Sequence, residues 1–191
     1  KGYPVKLVDL ANHTSGLPSL SRDYSQKTID SVMQLNAQGL KNFYMVYTAD
    51  SLLKDMHHFT VDTIPGTKYR YNGNAMEVLL LLLERIYHEP YEKLVTRFLQ
   101  SRFNMMDTRV TLSPEDEKRL VPGYDNGQPQ PYVNFNGYRA APGINSTIQD
   151  MLQFIQANIA EADAAIRLTH RPTFTKPDSS FMGLGWMIAK K

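Results

Sequence analysis

The sequence contains no cysteine. That removes disulfides, thiol nucleophiles and cysteine-bound metals, and it leaves the compartment open. Long hydrophobic runs are missing too. The longest, from Val78 to Leu83, falls far short of the ~20 residues a spanning helix needs. There is no block of like charge and no basic stripe interleaved with aromatics, and the net charge is only +2. Nothing electrostatic therefore points to nucleic acid or to an anionic membrane as a partner. Nucleotide-binding glycine loops, a GxSxG elbow and an HExxH pair are all absent, so neither a cofactor nor a metal is expected. Of the five histidines, the adjacent His57 and His58 would point different ways on a helix, and His13 reads as a structural hydrogen-bonding residue. No signal peptide opens the chain. It begins at Lys1 rather than Met, which reads as a mature, truncated or proteolysed product.

What is present is a chain of 191 residues with an ordinary apolar fraction, enough for one domain or one lobe of a larger protein. The dominant pattern is helical. Tyr91, Leu94, Val95, Phe98 and Leu99 repeat at i, i+3, i+4, i+7 and i+8, one apolar face of a helix with Pro90 in its first turn. Ile148, Met151, Leu152, Ile155 and Ile159 make a second stripe, with Ser146 and Gln149 spaced as a capping box. Met76 to Ile86 is apolar nearly all round, as in a helix buried inside a fold. Weaker helices are expected at about Ser25 to Ala37 and Ala49 to Met56. A short one should follow Ser113-Pro114-Glu115-Asp116-Glu117, a cap, a first-turn proline and acidic residues. The stretch from Val121 to Gly143 reads as a long loop of the kind that is often functional. Phe181 to Ile188 reads as a strand, and a lone strand is unstable, so its partners are expected beyond Lys191 or before Lys1.

Two places carry possible acyl-transfer chemistry. Ser51-Leu52-Leu53-Lys54 is the one Ser-x-x-Lys match, but its surroundings read as an amphipathic helix with Leu52, Leu53 and Met56 inward and Lys54 in solvent. Pro65-Gly66-Thr67-Lys68-Tyr69-Arg70-Tyr71-Asn72-Gly73-Asn74 is a turn leading into the apolar helix. A tyrosine at that mouth can hold its hydroxyl rigidly in a cleft; taken alone, Tyr71 reads first as a packing residue and only second as a catalytic one.

An ordered series of segments changes that balance. Leu7 to Pro18, ending His13-Thr14-Ser15-Gly16-Leu17-Pro18, resembles the "HTSGLP" segment of the class C β-lactamase-like serine hydrolases. Pro65-Gly66-Thr67 with Tyr69 and Tyr71 is similar to their "PGTxFxYSN". Leu83 to Tyr91, Phe103 to Thr108, and Pro114 to Tyr124 resemble three further stretches. Ala141-Pro142-Gly143-Ile144-Asn145-Ser146-Thr147-Ile148-Gln149-Asp150-Met151 is similar to "AAGGxxSTxxDM". Gly183-Leu184-Gly185-Trp186 matches "GLGW".

The resemblance implies a mainly α fold within an α+β parent, the helical lobe of a β-lactamase/transpeptidase-like protein. Residues 1–180 would form that lobe, and residues 181–191 would be a strand entering the sheet of the missing α/β lobe. It implies an acyl-serine hydrolase of D-alanyl peptides, β-lactams or small esters, periplasmic or secreted, acting on a small molecule or a peptidoglycan peptide. The family's Ser-x-x-Lys pair lies upstream of "HTSGLP" and its Lys/His-Thr/Ser-Gly strand downstream of "GLGW"; both fall outside this chain, which alone is expected to be inactive. Tyr71 takes the place of the catalytic tyrosine. Gly73 stands where the family has asparagine and cannot supply its amide; Asn74 would replace it only if the turn were reshaped. Pro142 and Gly143 are implied to border the substrate pocket opposite Tyr71, the alternative being a surface loop far from it. A non-catalytic binding module that keeps the fold is the rival reading, favoured by the Gly73 departure. Oligomeric state is left open.

Overall fold

Helices form wherever the sequence supplies a cap and an apolar face. A computed structural model describes residues 2–18, 47–61, 63–130, 132, 139–140 and 143–189. Helix α1 (Leu7–Ala11) is short, because the chain leaves it through His13, held in the left-handed region at φ 62°. Helix α2 (Ala49–Met56) is capped by Thr48, whose side chain accepts from the Ser51 N–H. Helix α3 (Gly73–Tyr87) is capped by the Asn72 side chain on the Ala75 N–H. Helix α4 (Tyr91–Phe103) starts after Pro90, which sits at the N-cap rather than in the first turn. Helix α5 (Pro114–Glu117) has Ser113 as its cap with Asp116 answering it. Helices α6 (Ile148–Ala160) and α7 (Ala164–Thr169) complete the set among the described residues.

The core joins α1, α2 and α3. Leu10, Leu17, Tyr47, Leu52, Ala75 and Val78 are buried together there. A second, aromatic cluster joins α4 to α6 and the C-terminal sheet. Phe103 meets Phe98 and Phe154 edge-on at centroid distances of 5.5 and 5.7 Å, and Phe154 stacks on Trp186 at 6.2 Å. Such pairs add about 0.5–1.5 kcal/mol each beyond area burial.

Several expectations need correcting. Leu53, read as facing inward on α2, is exposed. The helix from Met76 onward is buried only in its first half: Glu77, Val78 and Leu80 are covered, whereas Leu83, Ile86 and Tyr87 are exposed. The cap of α6 is Thr147, whose hydroxyl accepts from the Asp150 N–H at 3.2 Å; Ser146 instead bonds the Thr108 hydroxyl at 2.8 Å. The stripe Ile148, Met151, Leu152, Ile155 and Ile159 has the right period but lies exposed. The face of α6 that packs carries Asp150, Phe154 and Asn158, a turn apart. Finally, Phe181 to Ile188 is not one strand. It is a hairpin of β4 (Phe181–Met182) and β5 (Met187–Ile188), reversed where Gly185 takes φ 75°. Strand β3 (Phe174–Thr175) pairs with β4 in antiparallel register, Phe174 opposite Met182, so partners do exist within the chain.

The long loop after Val121 also holds an unforeseen hairpin, β1 (Gly123–Asp125) with β2 (Gln128–Gln130). Asn126 and Gly127 both have positive φ there, as a tight hairpin turn requires. The helix expected at Ser25 to Ala37 lies outside the described residues.

The C-terminal sheet docks on α1. Gly185 N–H donates to the Ala11 carbonyl at 3.0 Å, and Asn12 Nδ2 donates to Thr173 Oγ1 at 3.1 Å. Gly16 is required where the next segment folds back: its φ is 70°, and a Cβ there would lie 2.7 Å from Thr63 Oγ1 and 2.9 Å from the Thr63 carbonyl oxygen. Gly16→Ala is therefore expected to destabilise the protein by about 1–3 kcal/mol through strain and overpacking, read as a lowered urea midpoint with an unchanged slope. An unshifted midpoint would show that this segment gives way freely.

Candidate active site

Tyr71 sits on a turn that is stitched to the segment Asp9 to Pro18 almost residue by residue. Gly66 N–H donates to the Thr14 carbonyl at 2.9 Å, and Arg70 N–H to the His13 carbonyl at 2.9 Å. Asn72 N–H donates to His13 Nδ1 at 3.2 Å. Asn72 Nδ2 donates to the Leu17 carbonyl, and Asn74 Nδ2 to the Pro18 carbonyl at 2.8 Å. Two of these donors come from side chains that also start α3, so the cap of the helix and the seam to the N-terminal segment are one structure.

That N-terminal segment is polar yet buried. Asp9, Asn12, His13, Thr14 and Ser15 are all inside. Buried polar groups must find partners, and these find one another. Thr14 Oγ1 donates to Asn12 Oδ1 at 2.7 Å, Thr14 N–H donates to the same oxygen at 3.2 Å, and Leu17 N–H donates to Ser15 Oγ at 3.3 Å. The histidine expected to make a structural hydrogen bond does so. Burial pushes its imidazole below the ordinary value, and a proton on Nδ1 would set two donors against each other at Asn72.

Against this rigid frame Tyr71 stands out, 64% exposed. Its ring lies on the His13 imidazole at 4.6 Å between centroids, and among the described residues its hydroxyl has no hydrogen-bond partner. Tyr69 meets the other side of His13 edge-on at 6.1 Å, with the Lys176 ammonium 4.9 Å over its own ring. Gly73 is the first residue of α3. Asn74, offered from the sequence as a substitute donor, is 1% exposed with its amide engaged on Pro18.

The segment before Gly143 is clipped to the same helix. Glu77, fully buried one turn into α3, accepts from the Arg139 N–H at 3.0 Å and the Ala140 N–H at 2.9 Å. Arg139 also pairs with Glu84 at 3.1 Å. Gly143 folds so tightly onto Arg139 that a Cβ would lie 2.1 Å from its carbonyl oxygen. Pro142 lies outside the described residues. Glu77 was missed in the sequence, although a carboxylate at the start of the apolar run from Met76 was the available signal. A groove of about 560 Å³ lined by Leu83, Tyr87, Tyr91, Leu94, Val95 and Phe98 lies at the far end of α3 and contains none of these residues.

The remaining motif residues are structural. Asp150 Oδ2 accepts from the Asp107 N–H at 2.8 Å and Thr108 Oγ1 at 2.7 Å, which joins the two segments that each carried part of the resemblance. Ser51 is a capping residue: its N–H and Oγ both engage Thr48. Among the described residues no group of three or more His, Cys, Asp or Glu is placed to hold a metal.

A mainly helical chain with a few short strands, in which an exposed tyrosine precedes α3 above a buried polar seam, has the architecture of a mainly helical part of a β-lactamase/transpeptidase-like fold. The family model described as Beta-lactamase matches residues 1–191, and the chain belongs to that family. It is 25% identical over 202 residues to the D-alanyl-D-alanine-carboxypeptidase/endopeptidase AmpH of Escherichia coli K12, covering 97% of this chain and 49% of the relative. A β-lactamase of Lysobacter lactamgenus is 25% identical over 104 residues, covering 54% of this chain and 27% of the relative. Among solved structures, the β-lactamase/D-alanine carboxypeptidase of Yersinia pestis complexed with citrate superposes with a TM-score of 0.77 at 25% identity, over 98% of this chain and 54% of that one. An octameric penicillin-binding protein homologue from Pyrococcus abyssi, at 20% identity, shares the fold with a TM-score of 0.71, over 97% of this chain and 44% of that one. The chain spans about half the length of the curated relatives it matches.

The buried Glu77 gives a pH test. Burial raises its carboxyl above the ordinary 4.5, against the opposing hydrogen bonds from Ala140 and Arg139. A raised carboxyl binds its proton more tightly in the folded state, so its contribution is full below the unfolded value and is lost as pH rises through the folded one. Relative to Glu77→Gln, the wild-type urea midpoint is expected to fall as pH is raised from about 4 towards 7. A wild-type midpoint that rises against the variant over that range would contradict the assignment.

Proposed function

We propose that this chain is the tyrosine-bearing helical part of a serine hydrolase that cleaves an amide or ester through an acyl-serine intermediate. The observation that carries the reading is Tyr71: an exposed phenol on a turn whose flanking residues are locked to a buried seam, with its hydroxyl free of partners among the described residues. Packing tyrosines bury the ring and satisfy the hydroxyl; this one does the reverse.

Acyl transfer needs an activated hydroxyl, a base and an oxyanion hole. In the proposed role Tyr71 Oη takes the proton from the attacking serine and returns it to the leaving group. A free tyrosine titrates near pH 10, so neighbouring ammonium groups must favour the phenolate. The serine and its lysine are proposed to lie outside these 191 residues, since Ser51 is committed to a helix cap. Gly73 and Gly143 are proposed to border the substrate, with Pro142 beside Gly143. A glycine at position 73 offers no amide to a substrate carbonyl, which favours D-alanyl peptides or small esters over β-lactams. Residues 1–180 and 181–191 are proposed to belong to a helical lobe and to the approach to an α/β lobe. The exposed apolar stripe on α6 suits burial against such a lobe. A periplasmic or secreted location goes with substrates of this kind; among the described residues no helix is long and apolar enough to cross a membrane.

The test is Tyr71→Phe in the complete protein. Losing the proton carrier is expected to lower the acylation rate by about 10²–10⁴-fold, with the urea midpoint unchanged because the hydroxyl is solvent-facing. An unchanged rate would reduce Tyr71 to a packing residue and support a non-catalytic binding module. The 191-residue chain by itself is expected to take up no fluorescent penicillin or fluorophosphonate; stoichiometric labelling at Ser51, read by mass spectrometry, would overturn the capping assignment.

A further inference from the structure

One residue holds both neighbours of Tyr71. The His13 carbonyl accepts from the Arg70 N–H at 2.9 Å, and His13 Nδ1 accepts from the Asn72 N–H at 3.2 Å. The His13 ring then lies under the Tyr71 ring at 4.6 Å. One residue reaches both donors, through its carbonyl and its ring, because His13 takes φ 62°, the left-handed conformation that turns its carbonyl and its side chain towards the same turn. Its carbonyl and imidazole are buried with it, so no water competes for the two donors. The bracket also rests on Gly16, Leu17 and Pro18, which receive Arg70 Nη2, Asn72 Nδ2 and Asn74 Nδ2. Those contacts fix the turn as a whole; the two from His13 fix the residues immediately either side of residue 71.

We propose that His13 is a positioning residue for the hydrolytic reaction, holding the Tyr71 phenol at its working place and angle through the paired hydrogen bonds to Arg70 and Asn72. The proposal deepens the reading of Tyr71 as the proton carrier and rests on it for its catalytic part. His13 touches no reacting atom. Its effect passes through the main chain of the turn, and a displacement of about 1 Å at a catalytic group is enough to lower a rate about 10²-fold.

Two variants separate the hydrogen bond from the ring. His13→Asn places an amide oxygen the same number of bonds from the main chain as Nδ1, and asparagine tolerates positive φ; it keeps the acceptor and removes the ring. His13→Phe keeps a ring and removes the acceptor. Both are to be made in the complete protein and followed by amide hydrogen exchange at Asn72 and by kcat and KM for acylation. The expected result is that His13→Phe loses protection at Asn72 and about 10² in kcat with KM little changed, while His13→Asn restores both. If Asn72 stays protected in His13→Phe, or if His13→Asn keeps the protection without recovering kcat, the positioning role is overturned. Should His13→Phe fail to fold, His13→Asn decides alone: a wild-type kcat supports the hydrogen bond as the agent, and a kcat as low as that of Tyr71→Phe overturns it. The underlying reading fails separately, when Tyr71→Phe itself leaves acylation unchanged; the exchange measurement at Asn72 still reports whether His13 holds the turn.

Discussion

The structure depends on a buried polar seam between residues 9–18 and the turn that starts α3. Its centre is the contact of His13 with Asn72. An unpaired donor or acceptor at that depth costs about 1–3 kcal/mol, so each group in the seam holds its neighbour in place by default. A left-handed backbone at a non-glycine residue costs of the same order. His13 is kept in that conformation because its carbonyl, its imidazole and the two residues after it are all committed to partners. Loosening any one of them leaves largely buried polar atoms without their partners.

Two smaller seams repeat the same logic at longer range. Asp150 on α6 gathers the Asp107 N–H and the Thr108 hydroxyl, and Glu77 on α3 gathers the Arg139 and Ala140 N–H groups. In each case a buried carboxylate accepts main-chain donors from a segment with no regular structure of its own. Hydrogen bonds of this kind are worth about 0.5–1.5 kcal/mol each, and two on one side chain hold such a segment. The motif strings that gave the resemblance are therefore mostly scaffold. His13, Thr14, Thr108 and Asp150 are inside the protein, whereas Tyr71 is left outward.

How far the sequence was legible follows from the range of the forces involved. Caps and periodicity are local, so Ala49–Met56, Tyr91–Phe103 and the short helix after Ser113 were readable. Ser113 and Thr48 work as caps through atoms within three residues of themselves. The cap of α6 was displaced by one residue because Ser146 and Thr147 are equally able caps in isolation. Only the presence of Thr108 beside Ser146 decides which of them is taken. The stripe on α6 misled for a similar reason. Periodicity reports that a face is apolar, and says nothing of which face meets its neighbours; here Phe154 meets α4 and Asp150 meets the segment after it. The GLGW hairpin was read as one strand because two-residue strands carry too few alternating positions to show a period, and the reversal rests on Gly185 alone.

By itself the sequence determined the helical character, the place of Tyr71 at the mouth of a helix and, through an ordered set of motifs, the family. Those are properties of neighbouring residues and of their order. Tertiary structure alone decided that Asn74 turns inward to Pro18, that Glu77 anchors residues 139–140, and that His13 grips both neighbours of Tyr71. Each of these joins residues some 56 to 63 positions apart. A polar side chain is equally content with water or with a distant main-chain group, and only the burial created by the fold removes the water and makes the choice.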